Sequence, residues 1–581
     1  MHYNRAMEKT VRIYSGREET TMKFKDMPYK RVDKEEVEKA FAGIMEEFKA
    51  AASGEEQFEV HKKYYKLRDD VATNMTIAHI RHDVDTTDAF YDEEHNYYDE
   101  LGPILNNLEI SYQKLLYNSP YRDYLEEKIG SVAFKNMELS FKSFDEKLIP
   151  LMQEENNLVS RYNKLIASAK IEWEGETLNL SLMRPYLTDV DREVRARAWE
   201  KYTGFFEENA AQLDEIYDKL VKNRTAQAKE LGYENYIELG YYRMNRNCYS
   251  RKEVENFRRQ VKEVWVPFVA KLNERRKARL NIEKLAFYDE DVYFLNGNPK
   301  PTGTPEEIMR AGQKMYSELS DETREFFDFM MENELFDVLG RKTKKAGGYM
   351  TYLPNYQSPF IFANFNGTSG DVDVITHECG HAFQGYLSGK DPIKEHADIT
   401  METAEIHSMS MEFFTEGWME FFFGDRKQDY IDMHLEDSAA FIPYGCMVDE
   451  FQHIVYENPE MTPDERNAAW SRLEKEYKPH LDYMGNKRFG AGGYWQKQLH
   501  IYNYPFYYID YCLAQTCALQ YKVWMDEDYK AAWQSYLKLC NLSASDFYTN
   551  MLKEVGLKLP FEDGCMKNMV EKLETKCEKS F

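Results

Sequence analysis

GGYMTYLPNYQSPFIFANFNGTSGDVDVITHECGHAFQGYL, residues 347–387, changes its pattern halfway along. Up to about residue 372 it is dense in Tyr, Phe and Ile and punctuated by Gly, Pro and Asn, as short strands joined by tight turns are. Beyond that point it carries His377-Glu378-Cys379-Gly380-His381. On a helix, positions i and i+4 stand one turn apart on one face, so both imidazoles can reach a single metal ion. Glu378, one residue on from His377, falls beside such an ion rather than on it, where a carboxylate can take a proton from water. The stretch therefore predicts a small sheet lying directly before a metal-binding helix. The five letters alone are weak evidence, because a helix with merely packed or solvated histidines spells the same motif.

A catalytic zinc site needs a third protein ligand and an open fourth position. The extension with Gly three and His six residues after the second histidine is absent, since those positions are Gln384 and Leu387. A glutamate on a following helix is the other common solution. DITMETAEIHSMSMEFFTEGWMEFFF, 398–423, reads as that helix and offers Glu402, Glu405 and Glu412. Glu405 and Glu412 are two turns apart and share a face with Met409. Acids set among apolar residues need partners, and a metal and histidines are suitable ones. Spacing alone does not separate Glu402 from Glu405. Glu416 and Glu420 are expected on an exposed face.

A third cluster is FGAGGYWQKQLHIYNYPFYYIDYCLAQ, 489–515. Gly490, Gly492 and Gly493 make a flexible loop, His500 follows, and Pro505 marks an expected helix start. Tyr508 and Tyr511, three apart, would leave that helix on one face. Any one of these tyrosines is most simply core. Beside a metal, phenol and imidazole donors gain a second use, holding the oxyanion of a tetrahedral intermediate.

The rest of the chain reads as helix. VDKEEVEKAFAGIMEEFKAA, 32–51, opens with Asp33 as N-cap and places Val37, Phe41 and Ile44 in a stripe. Helical spacing continues to about Tyr241 and again over 250–280, and Thr304-Pro305 with Glu307 opens a further helix after the loop NGNPKPTGTPEE. Strand signal is confined to 347–372. With 75 Lys+Arg against 101 Asp+Glu the net charge is −26. That excludes the basic footprint of a nucleic-acid binder and disfavours an anionic membrane surface. Eight cysteines are too sparse for a disulfide scaffold, and Cys379 is expected to be a small buried residue of the metal helix. No secretory signal and no spanning segment are evident, so the expected address is cytoplasmic. Residues 1–21 are expected to be a loose extension ahead of a possible start at Met22, followed by an N-terminal helical region, 22–200, and a catalytic region, 201–581.

With these segments in place the chain resembles the M3 family of zinc oligopeptidases, and within it the oligoendopeptidase F and Pz-peptidase branch. The resemblance rests on YQSPFIFANFNGTSGDVDVITHECGHAFQ (356–384), TAEIHSMSMEFF (403–414), HIYNYPFYYIDYCLAQ (500–515) and YENYIELGYYRMNRNCYSRKEVENFRRQV (233–261), and runs from about Met22 to beyond Leu559. It implies a mainly α, two-lobed helical ellipsoid with a deep central channel and a small sheet beside the HExxH helix. It implies one Zn²⁺ held by His377, His381 and Glu405, with Glu378 as general base and Glu412 orienting a ligating histidine. It makes His500, Tyr504, Tyr508 and Tyr511 the catalytic donors, the oxyanion donor lying among His500, Tyr504 and Tyr508. The implied substrates are short unfolded peptides. A strand over 361–368, with Ala363, Asn364 and Gly367, is expected to present a free edge to which the peptide adds. The alternatives are a peptidyl-dipeptidase of the same family, a metallohydrolase acting on something else, and a scaffold with a dead site. No oligomeric state follows from the sequence.

Overall fold

A computed structural model describes residues 22–579; the extension expected over 1–21 lies outside the described residues. The chain is mainly helical, as its spacing predicts, and two of its helices start at the caps expected of them. Asp33 accepts from Glu36 N–H to open the helix Lys34–Ala50, which buries Val37, Phe41 and Phe48. Thr304 and Glu307 form a reciprocal capping box on the helix Pro305–Leu319. Each such cap satisfies backbone donors that no helical carbonyl can reach. The helices that build the site are labelled in chain order: α1 (Gly54–Val84), α2 (Gly370–Ser388), α3 (Met401–Phe414), α4 (Lys427–Glu457) and α5 (Tyr508–Leu542). The last of these is broken at Asp528, whose backbone is extended.

Two hydrophobic clusters make up most of the interior, beside a small third one of Leu280, Leu285 and Val292. The helices up to about residue 137 close around Val37, Phe41, Tyr64, Leu101 and Phe134. A much larger cluster takes in Met27, Ile77 and Ile80 and then runs from Leu158 to Leu573, with Trp265, Ile375, Phe414 and Trp495 inside it. Among the described residues no helix is long and apolar enough to cross a membrane.

The sheets differ from expectation in two ways. A second, two-stranded sheet, β1 (Ile171–Trp173) and β2 (Glu176–Leu178), interrupts the helical region. Its turn is Glu174-Gly175, both at positive φ, where Gly175 suffers no steric penalty. The larger sheet has three strands, β3 (Phe336–Leu339), β4 (Tyr349–Leu353) and β5 (Ser358–Phe365), in the order β3-β5-β4. β5 is therefore central, parallel to β3 and antiparallel to β4. The strand expected to offer a free edge is paired on both sides. Ala363 is fully buried and its carbonyl accepts from Lys344 Nζ. Asn364 Nδ2 donates to the Lys345 and Gly347 carbonyls at 2.8 Å each, strapping down the loop before β4. The sheet's edges are β3 and β4, and of the two only β4 has residues lining the cavity described below. Gly367, at φ +80°, turns the chain from β5 into α2, and the Asp371 carboxylate fixes that turn by accepting from Asn366 N–H and Gly367 N–H at 2.8 Å each.

Candidate metal centre and active site

α2 lies under the sheet and is crossed by α3. The crossing is close because Gly380 has no side chain: a Cβ there would stand 2.5 Å from the His407 carbonyl oxygen and 2.6 Å from Ser408 Cα. This contact brings Glu405, on α3, to the two histidines of α2. His377 Nε2 lies 3.4 Å and His381 Nε2 3.2 Å from Glu405 Oε2. One ligand atom from each residue can be chosen so that all three lie within 4.8 Å of one another. Two donors about 2.05 Å from a tetrahedral centre stand about 3.3 Å apart, so the spacing and the donor chemistry both fit a zinc-sized ion.

Two of the three donors, Glu405 and His377, are held from behind. Ser408 Oγ donates to Glu405 Oε2 at 2.9 Å, and Tyr507 O–H donates to Oε1. Burial alone would raise the Glu405 carboxyl; the imidazoles of His381 and His377 overcome that and hold it well below the usual range. Glu412 bridges His377 Nδ1 and His434 Nε2 at 2.6 Å to each. A carboxylate on Nδ1 fixes the tautomer that leaves Nε2 free for a metal. His434 is itself shifted up to about 9, since hydrogen bonding to Glu412 outweighs its burial. Glu378 is 7% exposed and makes none of these contacts. Burial raises its carboxyl, against the pull of His377 and His381.

His377, Glu378, His381 and Glu405 line a cavity of about 480 Å³ together with Tyr507 and Tyr511. Gly348 and Tyr349–Met350, at the edge of the sheet, form another wall. A chain of hydrogen bonds reaches the cavity from outside it. Tyr444 O–H donates to Gln498 Oε1 at 2.7 Å, Gln498 Nε2 meets His500 Nδ1 at 2.8 Å, and His500 Nε2 lies 3.4 Å from the Tyr511 hydroxyl. Burial lowers His500 to about 4, so it is neutral at pH 7. With Nδ1 accepting, Nε2–H faces the Tyr511 oxygen and leaves the Tyr511 O–H free to point elsewhere.

The expected residues thus divide. His377, Glu378, His381, Glu405, Glu412 and Tyr511 come together, with His500 one contact behind Tyr511. Tyr504 is 56% exposed and does not line this cavity. Tyr508 does not line it either, but its ring lies against His500 at 5.0 Å and Tyr511 at 5.5 Å, with Phe441 and Tyr444 also in contact. Pro505 does not begin a helix; α5 starts at Tyr508, three residues later. Tyr507 and His434 were not singled out in the sequence. Tyr507 had a usable signal, the four-residue spacing to Tyr511; His434 had none. Glu416 departs from its exposed-face reading: it is buried and paired with Lys522 Nζ. Glu420 is exposed, as expected, and pairs with Lys427 at 2.7 Å. Cys379 is fully buried.

Glu402 does not join the metal cluster. It is 1% exposed, and neither carboxyl oxygen has a hydrogen-bond partner. Burial, then the charge on Asp510, pushes it up to about 8. A carboxyl raised in the folded state binds its proton more tightly there than in the unfolded chain. Folding therefore loses stability as pH rises from about 4.5 through about 8, at no more than about 1.4 kcal/mol per pH unit. Glu402→Gln, a neutral mimic of the acid, is expected to flatten that decline. Melting temperatures at pH 5 and pH 8 measure it; an unchanged difference between them would show that Glu402 is ionised at both.

Comparison with known proteins gives a consistent result. Residues 24–144 match the family described as Peptidase M3 N-terminal domain, and residues 185–571 match Peptidase family M3. A solved structure described as "PZ PEPTIDASE A with inhibitor 2" is 46% identical, with a TM-score of 0.94, covering 96% of this chain and 99% of that one. An oligoendopeptidase F homolog of Borreliella burgdorferi is 21% identical over 566 residues, 92% of this chain and 94% of that protein.

Proposed function

The chain belongs to peptidase family M3, and from that premise we propose that it is a zinc endopeptidase cutting internal bonds of short, unstructured peptides. It is a metallopeptidase of the oligopeptidase kind. The observation that carries the finer reading is the convergence of two imidazole Nε2 atoms on one buried carboxylate oxygen, at 3.2 and 3.4 Å, with Glu378 beside them. We assign His377, His381 and Glu405 as the ligands of one zinc ion, on which Glu412 and His434 fix the presentation of His377. When bound, the ion supplies a Lewis acid that polarises a carbonyl and acidifies water.

Glu378 accepts a proton from the attacking water at its carboxylate and delivers it to the leaving amine. Tyr511 donates its O–H to the oxygen that gains charge, with His500 holding the phenol in place. Tyr507 secures Glu405 from the far side. Because β5 has no free edge, the main chain of the peptide is assigned to β4, beside Gly348, where extended backbone can pair with little side-chain selection. On this reading residues 22–200 cover the channel, residues 201–581 carry the chemistry, and the setting is cytoplasmic.

A ten-residue peptide acetylated and amidated at its ends tests the endopeptidase reading. Mass spectrometry is expected to find internal cuts from the zinc-loaded protein. Cleavage of the unblocked peptide alone, in steps of two residues from its C-terminus, would replace it by a peptidyl-dipeptidase.

A further inference from the structure

The metal-side cavity has neighbours. Gly348 borders both it and a cavity of about 860 Å³, which in turn shares Arg184, Asp291, Tyr293 and Asp437 with a third of about 280 Å³. The third cavity is lined by Lys497. The Gly-rich loop puts it there. Gly492, at φ +89°, packs so closely that a Cβ would fall 2.1 Å from the Asn467 carbonyl oxygen, and the short helix Gly493–Lys497 follows it.

We propose that Lys497 is an anion-binding subsite in this third cavity, two shared walls away from the metal cluster, taking a carboxylate of the bound peptide, either its C-terminus or an acidic side chain. The proposal rests on the peptidase reading above and adds a substrate preference to it. Among the described residues, Arg276 and Lys497 are the cations of this cavity without an ion pair, and Arg276 is already bonded to the Glu290 carbonyl and Asn273 Oδ1, which leaves Lys497. Glu290 is held by Lys478 at 2.8 Å and His480 at 3.2 Å, Asp291 lies 3.8 Å from Arg184, and Asp437 accepts from Tyr293 O–H at 2.9 Å. Lys497 Nζ has no ion pair; it faces the rings of Tyr494 at 4.1 Å and Trp199 at 5.3 Å. Those rings attract a cation without supplying a counter-charge.

The lining carries Arg184, Arg276, Lys478 and Lys497 against Glu290, Asp291 and Asp437, an excess of positive charge inside a chain of net charge −26. A carboxylate is repelled by most of this molecule and attracted here. Burial, with Arg184 and Lys478 adding to it, lowers the Lys497 ammonium to about 8 against the pull of Asp291, a strain that an incoming anion relieves. The subsite is also wired to the chemistry. The next residue, Gln498, is the one that holds His500, so occupancy at Lys497 bears on the His500–Tyr511 pair.

The test is binding to the zinc-loaded full chain carrying Glu378→Gln, measured by fluorescence anisotropy with three labelled octapeptides. One has no acidic side chain and a free C-terminal carboxylate, the second is its amide, and the third is the amide with one Glu. At least one carboxylate form is expected to bind about tenfold tighter than the plain amide. Tightening of the free acid identifies the C-terminus as the source, and tightening of the Glu peptide identifies a side chain. Adding Lys497→Met is expected to bring the ratio close to one, and Lys497→Arg to keep it, which separates lost charge from lost fold. Equal affinities for all three peptides, or a preference that survives Lys497→Met, would overturn the subsite. Whether the wild type cleaves the plain amide is read separately: no cleavage alongside an intact preference overturns the peptidase reading and leaves the subsite standing.

Discussion

Glu378→Gln is expected to lower kcat by about 10³–10⁴-fold while zinc stays bound and the melting temperature holds. General acid–base catalysis contributes about 10²–10⁴-fold, and here one group serves twice, once to take the proton and once to return it. At about 1.36 kcal/mol per tenfold, the loss is about 4–5.5 kcal/mol of barrier. The geometry sets up this outcome. Glu378 is 7% exposed and borders the cavity that His377, His381 and Glu405 line. A Cβ on Gly348 would come within 3.7 Å of Glu378 Oε1, so the carboxylate lies between the metal helix and the edge of the sheet. Glutamine fills the same space but accepts no proton, so binding is retained while chemistry is lost. Single-turnover rates with metal content measured in parallel decide it. A variant within tenfold of the wild type would take the role of base away from Glu378, leaving His500 and Tyr511 as the titratable groups to test next.

The proposed metal ligands were legible because their chemistry leaves a spacing. His377 and His381 are one helical turn apart, and Glu405 and Glu412 are acids on a face that is otherwise apolar, which demands partners. The structure supplies those partners for Glu412 in His377 and His434. His434 itself lay 53 residues beyond His381 on a helix with no local pattern, so only tertiary folding reveals it. The central position of β5 was hidden for a similar reason. Its parallel partner, β3, is four residues long and follows directly on a helix, and parallel pairing leaves no turn signature between the two strands. Tyr508 and Tyr511 were grouped by expecting one helix to carry both, which it does, while Tyr504 was added by the family resemblance. With the helix starting at Tyr508, the chain before it takes a different path: Phe506 has φ +68°, Tyr507 turns toward Glu405, and Tyr504 is left at the surface.

Gly380→Ala is expected to destabilise the fold by about 3 kcal/mol or more and to weaken zinc binding with it. On helix propensity alone the change should help, since alanine is favoured over glycine by about 0.8–1.0 kcal/mol. The added methyl would instead meet backbone, the His407 carbonyl oxygen at 2.5 Å and Ser408 Cα at 2.6 Å. Backbone cannot rotate aside as a side chain can, so α2 and α3 must separate by about 1 Å to reach ordinary contact. That shift falls on the metal centre, because α3 carries Glu405 and α2 carries both histidines. Ligand distances tolerate only about 0.2 Å, so an ion loses its carboxylate before the helices lose their contact. Gly385 supplies the control on the same helix: a Cβ there would find its nearest neighbour, Tyr352, at 3.6 Å. Gly385→Ala is expected to be neutral or to stabilise by up to about 1 kcal/mol. Urea unfolding of the two variants with and without zinc separates the terms. The Gly380 variant should lose stability in the metal-free protein and gain less than the wild type when zinc is added. If the two alanine variants prove equally stable, the backbones of α2 and α3 are not in contact at Gly380, and the placement of Glu405 must come from elsewhere.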